Sequence, residues 1–298
     1  MIKMSKPKVE ILMSTYNGEK YLSTQLESIF SQKEVDISIL VRDDGSHDDT
    51  IRILEAYSQK YPIKIVTSEN IGYANSFWDL VHMADGADYY AFCDQDDIWM
   101  EDKVLSAVKM ISSCGKIPVL YTSNVDTIND ELQLLQRNAF PVNGVQNFRQ
   151  SLLTSILPGC TFVFNNMLLL QMKKYNRLVI SHDWLTYSIA SAVGVVLYDE
   201  HSHINYRIHE NNTLGIQRPL EKFKVQIHNF FYPKYKNGRS VVSKNINEIY
   251  KQDMTKKDEE VARLFGNYRH HYYYIFKLLK YKEFRNAILD ILLFLKKA

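Results

Sequence analysis

The sequence predicts an α/β fold: a doubly wound sheet flanked by helices, followed by a mainly helical, basic C-terminal region. Three observations carry this expectation. Short apolar runs of strand type alternate with stretches of helical spacing as far as Ser123. Polar residues gather where those runs end, which is where ligands bind in such sheets. Charge is also unevenly divided. Residues 216–298 hold 18 Lys and Arg against 8 Asp and Glu, whereas the chain before them holds 18 against 26. An acidic body with a basic tail implies two regions with different work, 1–215 and 216–298.

The elements follow in order. Val9 to Ser14 reads as a strand closed by the turn residues Thr15-Tyr-Asn-Gly18. Leu22, Leu26, Ile29 and Phe30 mark a helix over Glu19 to Phe30. Ile37 to Val41 is a second strand, ending in Arg42-Asp-Asp-Gly-Ser46, and Asp48 or Asp49 caps the helix that follows. Ile63 to Val66 and Tyr89 to Cys93 are strands, with a helix over Tyr73 to Met83 between them. Asp102 to Ile111 is helical and Pro118 to Ser123 is another strand, so the first strands are expected to run parallel. Beyond Asn124 the alternation loosens: a strand over Gly159 to Phe164, a helix over His182 to Ala192, and short strands at Val195 to Tyr198 and His203 to Ile208. Leu278, Tyr281, Phe284, Ile288, Ile291, Leu292 and Leu295 form one helical stripe near the end.

Composition sets the outer limits. A chain of 298 residues with 46% hydrophobic content has enough apolar mass for a sizeable core, which excludes disorder as the main state. Three cysteines at unrelated spacings exclude a disulfide scaffold and a cysteine zinc cluster. The start from Met1 to Lys8 is polar and no run is long and apolar enough for a membrane span, so a cytoplasmic protein is expected. Neither Gly-x-Gly-x-x-Gly nor Gly-x-x-x-x-Gly-Lys-Ser/Thr occurs, which argues against a dinucleotide fold and a P-loop ATPase.

Four clusters carry chemistry. Asp94-Gln-Asp-Asp97 places three carboxylates directly after an apolar strand. Either a divalent cation relieves their repulsion, or they form a solvated acidic turn. Asp43 and Asp44 stand at the neighbouring strand end, beside the hydroxyl of Ser14 and the ring of Tyr16. A ring to stack on and a carboxylate to accept an N–H suit a pyrimidine base; the plain alternative is a helix cap. His182-Asp183-Trp184 is either an N-capped helix start or a general base held beside a histidine and an apolar wall. Arg207 and His209, in Tyr206-Arg-Ile-His-Glu-Asn-Asn-Thr-Leu-Gly215, suit a loop that clamps phosphate.

Taken together, these motifs resemble the family 2 glycosyltransferases of the GT-A fold, in particular their bacterial rhamnosyltransferase-like branch. Met13-Ser-Thr-Tyr-Asn-Gly18, Arg42-Asp-Asp-Gly-Ser46, Asp94-Gln-Asp-Asp97, Gly159-Cys-Thr-Phe-Val-Phe-Asn165, His182-Asp-Trp184 and the Tyr206–Gly215 motif match in order and spacing. The resemblance spans residues 8 to 215. It implies a mixed GT-A sheet and a nucleotide-sugar donor whose base and ribose are held by Ser14, Tyr16 and Asp44, with Asp43 nearby. It further implies Mn²⁺ or Mg²⁺ at Asp94 and Asp96, with Asp94 also able to contact the sugar. Asp183 matches the base, and Arg207 and His209 match the loop over the diphosphate.

The implied reaction is inverting sugar transfer, leaning towards dTDP-rhamnose, to a saccharide or lipid-linked acceptor in cell-surface polysaccharide synthesis. A UDP-hexose donor is the rival. A non-catalytic sugar-nucleotide-binding protein would require a broken motif, and a nucleotidyltransferase a Gly-rich phosphate loop; neither feature is present. For the basic tail, two readings stand level: peripheral contact with the inner face of the membrane, or a helical hairpin that packs on the catalytic region or forms a homodimer. Nucleic acid is not expected, because the acidic body repels phosphates.

Overall fold

The computed structural model describes residues 5–140, 145, 147–153, 157–209 and 238–285. The end of the Tyr206–Gly215 motif from Glu210 onward, the expected boundary at 215, and the Ile288 to Leu295 part of the apolar stripe lie outside the described residues. Strand β1 (Lys8–Thr15) leads to helix α1 (Leu22–Phe30), then β2 (Asp36–Asp43), α2 (Thr50–Ser58), β3 (Ile63–Thr67), α3 (Tyr73–Met83) and β4 (Tyr89–Cys93). After β5 (Ile98–Trp99), α4 (Lys103–Ser112), β6 (Val119–Ile128), β7 (Leu134–Gln136) and α5 (Phe148–Ser151) come β8 (Val163–Asn165) and α6 (Asn166–Met172). Helix α7 (His182–Val193) and β9 (Val195–Arg207) complete this part, and α8 (Gly238–Tyr250), α9 (Lys256–Asn267) and α10 (Tyr272–Leu278) follow.

The sheet order is β3-β2-β1-β4-β8-β6-β9-β5, with β7 beside β6. Strands β3, β2, β1 and β4 pair in parallel as expected, and β6 pairs in parallel with β9. Strand β8 runs antiparallel between β4 and β6, β5 antiparallel to β9, and β7 antiparallel to β6, which makes the sheet mixed. Three local expectations shift. The stripe expected from Leu278 through Tyr281 and Phe284 is not carried by one helix, because α10 ends at Leu278 and Lys282–Phe284 is a 3₁₀ turn. Gly159–Thr161 is a 3₁₀ turn before β8, and the two short strands expected after Val195 are one strand, β9, whose register against β6 breaks between Ser123 and Asp126.

Alternation along each strand fills both faces. Val9, Ile11, Met13, Ile39 and Val41 pack with Leu22, Leu26, Leu54 and Val104 of α1, α2 and α4. Leu12, Leu40, Tyr90 and Phe92 point the other way, onto Phe77, Leu168 and Trp184 of α3, α6 and α7. Helix α7 is buried nearly all round, so a polar residue in its first turn is held by solid surroundings. The C-terminal helices join this second core: Val242, Ile246, Tyr250, Val261, Phe265 and Tyr268 belong to the same apolar cluster as Trp184 and Tyr175. Arg149 ties them further, pairing at 2.9 Å with both Asp258 and Glu283. Among the described residues, no helix is long and apolar enough to cross a membrane.

Phe265→Ala therefore removes packing that α9 contributes to the second apolar core, against Tyr268 and Phe284 among others. A loss of about 3–5 kcal/mol is expected, as for other buried Phe truncations. Calorimetry should record one cooperative transition at lower temperature; a separate minor transition with the main one unmoved would show that α8–α10 stand apart from the core.

Candidate active site

The ends of the parallel strands are knitted into one platform. At the end of β1, the Thr15 hydroxyl donates to Asp43 Oδ2 (2.8 Å) and the Thr15 carbonyl accepts Asp44 N–H (2.8 Å). Asp43 is buried and also accepts the N–H groups of Gly45 (3.1 Å) and Ser46 (2.8 Å) and the Ser46 hydroxyl (2.6 Å). Asp44, equally buried, accepts from Arg42 Nη1 (2.5 Å) and from the backbone N–H of Ile71 and Gly72 (2.9 Å each). The two acids thus fold the Asp-Asp-Gly-Ser turn and fasten it to the start of α3. Ser14 shares a hydrogen bond of 2.6 Å with Ser76. The Tyr16 ring is 45% exposed and lines an open cleft of about 510 Å³ with Gly45, His47, Thr67, Ser68 and Asn70.

Gln95, which sequence reasoning passed over, joins two motifs. Its Oε1 accepts Tyr16 N–H (2.9 Å) and its Nε2 donates to the Tyr16 carbonyl (3.0 Å), so the amide pairs with the turn as a strand would. Space for it exists because residue 18 is glycine: a Cβ there would sit 2.2 Å from Gln95 Oε1. Asn17, at φ +47°, accepts His47 N–H at 2.9 Å and binds the second turn to the first. Only the Gly18 in the turn hinted at this contact.

The acidic motif opens directly after β4. Asp94 is pushed up to about 7 by burial and by the negative charges of Asp96 and Asp183, so Asp183 acts on the acidic motif although it lies far along the chain. Among the described residues, no basic side chain forms an ion pair with Asp94 or Asp183. Asp96 Oδ2 lies 2.9 Å from His209 Nε2, and the His209 ring stacks on Tyr21 at 5.0 Å. Arg207 is buried over the same Tyr21 ring; its Nε donates to the Asp96 carbonyl (2.8 Å) and its backbone N–H to Asp97 Oδ1 (3.0 Å). The guanidinium therefore braces the acidic loop from behind.

Asp183 begins α7. Its Oδ1 accepts the Ser181 hydroxyl and Trp184 N–H (2.7 Å), while Oδ2 has no partner among the described residues. His182 stacks on Phe77 at 4.0 Å, and burial holds it down at about 4, so it is neutral at ordinary pH. Gly159 makes room for both: a Cβ there would lie 2.9 Å from Asp183 Cβ and from His182 Nε2. Beneath the acids, buried Lys103 sits 3.8 Å from the Trp99 ring centroid and is lowered to about 8 by burial.

A divalent cation fits this donor set. A carboxylate such as Asp94, raised by burial and by neighbouring negative charges and without an ion pair to a basic side chain among the described residues, is the setting in which a hard cation restores the charged form. Asp94, Asp97 and Cys160 also place ligand atoms within 4.8 Å of one another. Burial pushes the Cys160 thiol up, however, which keeps it protonated and makes it the weaker partner for such an ion.

The model of the family described as Glycosyl transferase family 2 matches residues 10–171, more than half the chain. The chain belongs to that family. It is 34% identical over 223 residues to the dTDP-rhamnosyl transferase RfbG of Shigella flexneri, covering 68% of this chain and 73% of RfbG. An uncharacterized glycosyltransferase of Rickettsia typhi, RT0329, is 24% identical over 74% of this chain and 70% of its own. In structure the chain is similar to residues 1–349 of Staphylococcus aureus TarS in complex with UDP-GlcNAc, at TM-score 0.56 and 14% identity, over 97% of this chain and 92% of that one. That likeness is one of fold, and it is the GT-A fold. The chain is a rhamnosyltransferase-like family 2 glycosyltransferase.

Gly18→Ala forces the Gln95 amide off the Tyr16 turn. We expect a loss of about 1–3 kcal/mol, typical of overpacking, and weaker nucleoside diphosphate binding, read by thermal melts and calorimetric titration. Unchanged values in both would remove Gln95 from the platform.

Proposed function

We propose that the enzyme transfers a monosaccharide from a nucleoside diphosphate to a hydroxyl of a saccharide or lipid-linked acceptor, with inversion at the anomeric carbon. The observation that carries this is the convergence of Asp94, Asp96 and Asp183 at the ends of parallel strands, with one oxygen of Asp183 unengaged. Tyr16 offers an exposed ring against which a pyrimidine stacks in the cleft, with Ser14 near the ribose. Asp43 and Asp44 serve the base by fixing the walls of that cleft. A dTDP-rhamnose donor is favoured by the likeness to RfbG; the UDP-GlcNAc bound by TarS keeps a UDP-hexose as the second reading.

The chemistry follows from the side chains. Ser181 and Trp184 hold Asp183 Oδ1, which aims Oδ2 at the acceptor and fixes its rotamer. Oδ2 takes the acceptor hydroxyl proton as the oxygen attacks the anomeric carbon. The bond from that carbon to the diphosphate oxygen breaks, and its electron pair leaves with the nucleoside diphosphate. One displacement inverts the configuration and forms no covalent enzyme intermediate. Asp94 and Asp96 would hold Mn²⁺ or Mg²⁺, which when bound would supply positive charge against the departing diphosphate. His209 and Arg207 keep Asp96 in place from the other side. The basic excess after residue 215 supports a peripheral position on the inner face of the membrane, where a lipid-linked acceptor is presented.

Asp183→Asn keeps the shape and the Oδ1 contacts but removes the proton acceptor. Transfer should fall by at least about 10³-fold, in line with loss of a general base, with donor affinity nearly unchanged by titration. Loss of donor affinity instead would reassign the residue. Asp96→Ala should abolish the manganese-dependent part of nucleoside diphosphate binding; binding that persists at full strength would contradict the metal assignment.

A further inference from the structure

A second cleft, of about 310 Å³, opens where the segment between α6 and α7 meets α8 and the end of α9. Ser240 and Asn245 are buried at its base, and Arg177, Lys244, Glu248 and Arg269 line it. Gly266 creates the space. A Cβ at that position would lie 2.9 Å from Lys244 Cβ, so the missing side chain lets α9 close on α8 and leaves room beside the lysine. Three cations thus line the cleft against one acid.

The acid is already engaged. Glu248 lies 2.5 Å from Arg177 Nη1, and the same nitrogen donates to Asn245 Oδ1 at 3.0 Å. Arg177 is thereby fixed in orientation by two partners at a single nitrogen. Lys244 has no ion pair among the described residues, so its charge faces the cleft uncompensated. Arg269 is steadied by Tyr268, whose hydroxyl accepts its Nε–H at 2.9 Å. A guanidinium fork, an ammonium and a second guanidinium around a concave space match the donor demands of a phosphate. Concavity also focuses their field.

We infer that this cleft binds a phosphate group, separately from the donor site. Two sources share that chemistry: the headgroup of an anionic lipid and a free phosphate ester. Helix α10 begins just beyond the cleft residue His270 and exposes Tyr272, Tyr273 and Phe276 to between 48 and 59%, with Lys277 beside them. Aromatic side chains next to a cationic cleft are suited to a lipid surface.

The test uses the full chain in EDTA. Sedimentation is measured with phosphatidylcholine vesicles, alone and with phosphatidylglycerol, and thermal midpoints are measured with inorganic pyrophosphate. Lys244→Glu should weaken binding at least tenfold in whichever arm the wild type responds, with Lys244→Gln between the two. Lys251→Glu, a charge reversal just past the end of α8 and outside the cleft, should leave binding close to wild type. A response to phosphatidylglycerol vesicles assigns the lipid source, and a response to pyrophosphate alone assigns the soluble one. No response in either arm, or equal weakening by Lys244→Glu and Lys251→Glu, overturns the inference. Manganese-dependent UDP or dTDP binding, measured in parallel, stays intact in the Lys244 variants; its absence from the wild type would sink the donor reading and leave this one standing.

Discussion

Mutual repulsion among Asp94, Asp96 and Asp183 is the constraint around which the site is arranged. Burial, with the negative charges of Asp96 and Asp183 added, raises Asp94 to about 7; among the described residues no basic side chain forms an ion pair with Asp94 or Asp183, while Asp96 meets His209. Holding such a group together costs stability, and the cost is met by the rigid elements that carry it. Asp94 follows β4, which is clamped between β1 and β8, and Asp183 stands in the first turn of a helix buried nearly all round. Arg207 braces the acidic loop through Asp96 and Asp97, and Gly159 lets the turn before β8 lie against Asp183.

The platform beside the acids is polar yet well satisfied. Thr15, Asp43, Asp44, Gln95 and Asn17 bind three strand-end turns to one another and to the start of α3. The hydrogen bonds are short and several involve a carboxylate, the stronger kind. The exposed Tyr16 ring rests on backbone fixed from both sides, so a base that stacks there meets a wall that does not need to be ordered on binding.

Much of this was legible in the sequence, for identifiable reasons. Strands β1 to β4 are runs of apolar residues bounded by turn chemistry, and their period differs from that of the helices between them. Asp94, Asp96 and Asp183 stand out in the sequence by position, just after a strand and at a helix start. The antiparallel strands were harder: β5 has two residues and β8 three, too few for any period to show. For Asp43 and Asp44 the sequence shows the carboxylate but not the backbone N–H groups that it accepts from Gly45, Ser46, Ile71 and Gly72. Lys103 is another such case, a lysine on a helix that is fully buried over Trp99. Gln95 and Gly18 matter only as a pair: the glycine hints at a close approach, but nothing in the sequence names Gln95 as what approaches. The basic composition after 238 leaves membrane contact and packing on the catalytic region level, and it is the apolar faces of α8 to α10 that join the core beside α7.

The most direct measurement is anomalous scattering from manganese in crystals soaked with the metal and a nucleoside diphosphate. The account predicts a peak within coordination distance of Asp94 or Asp96 and of the diphosphate, on the side facing Asp183. A peak confined to the buried Asp97 and Cys160, or a bound diphosphate with no manganese beside it, would contradict it.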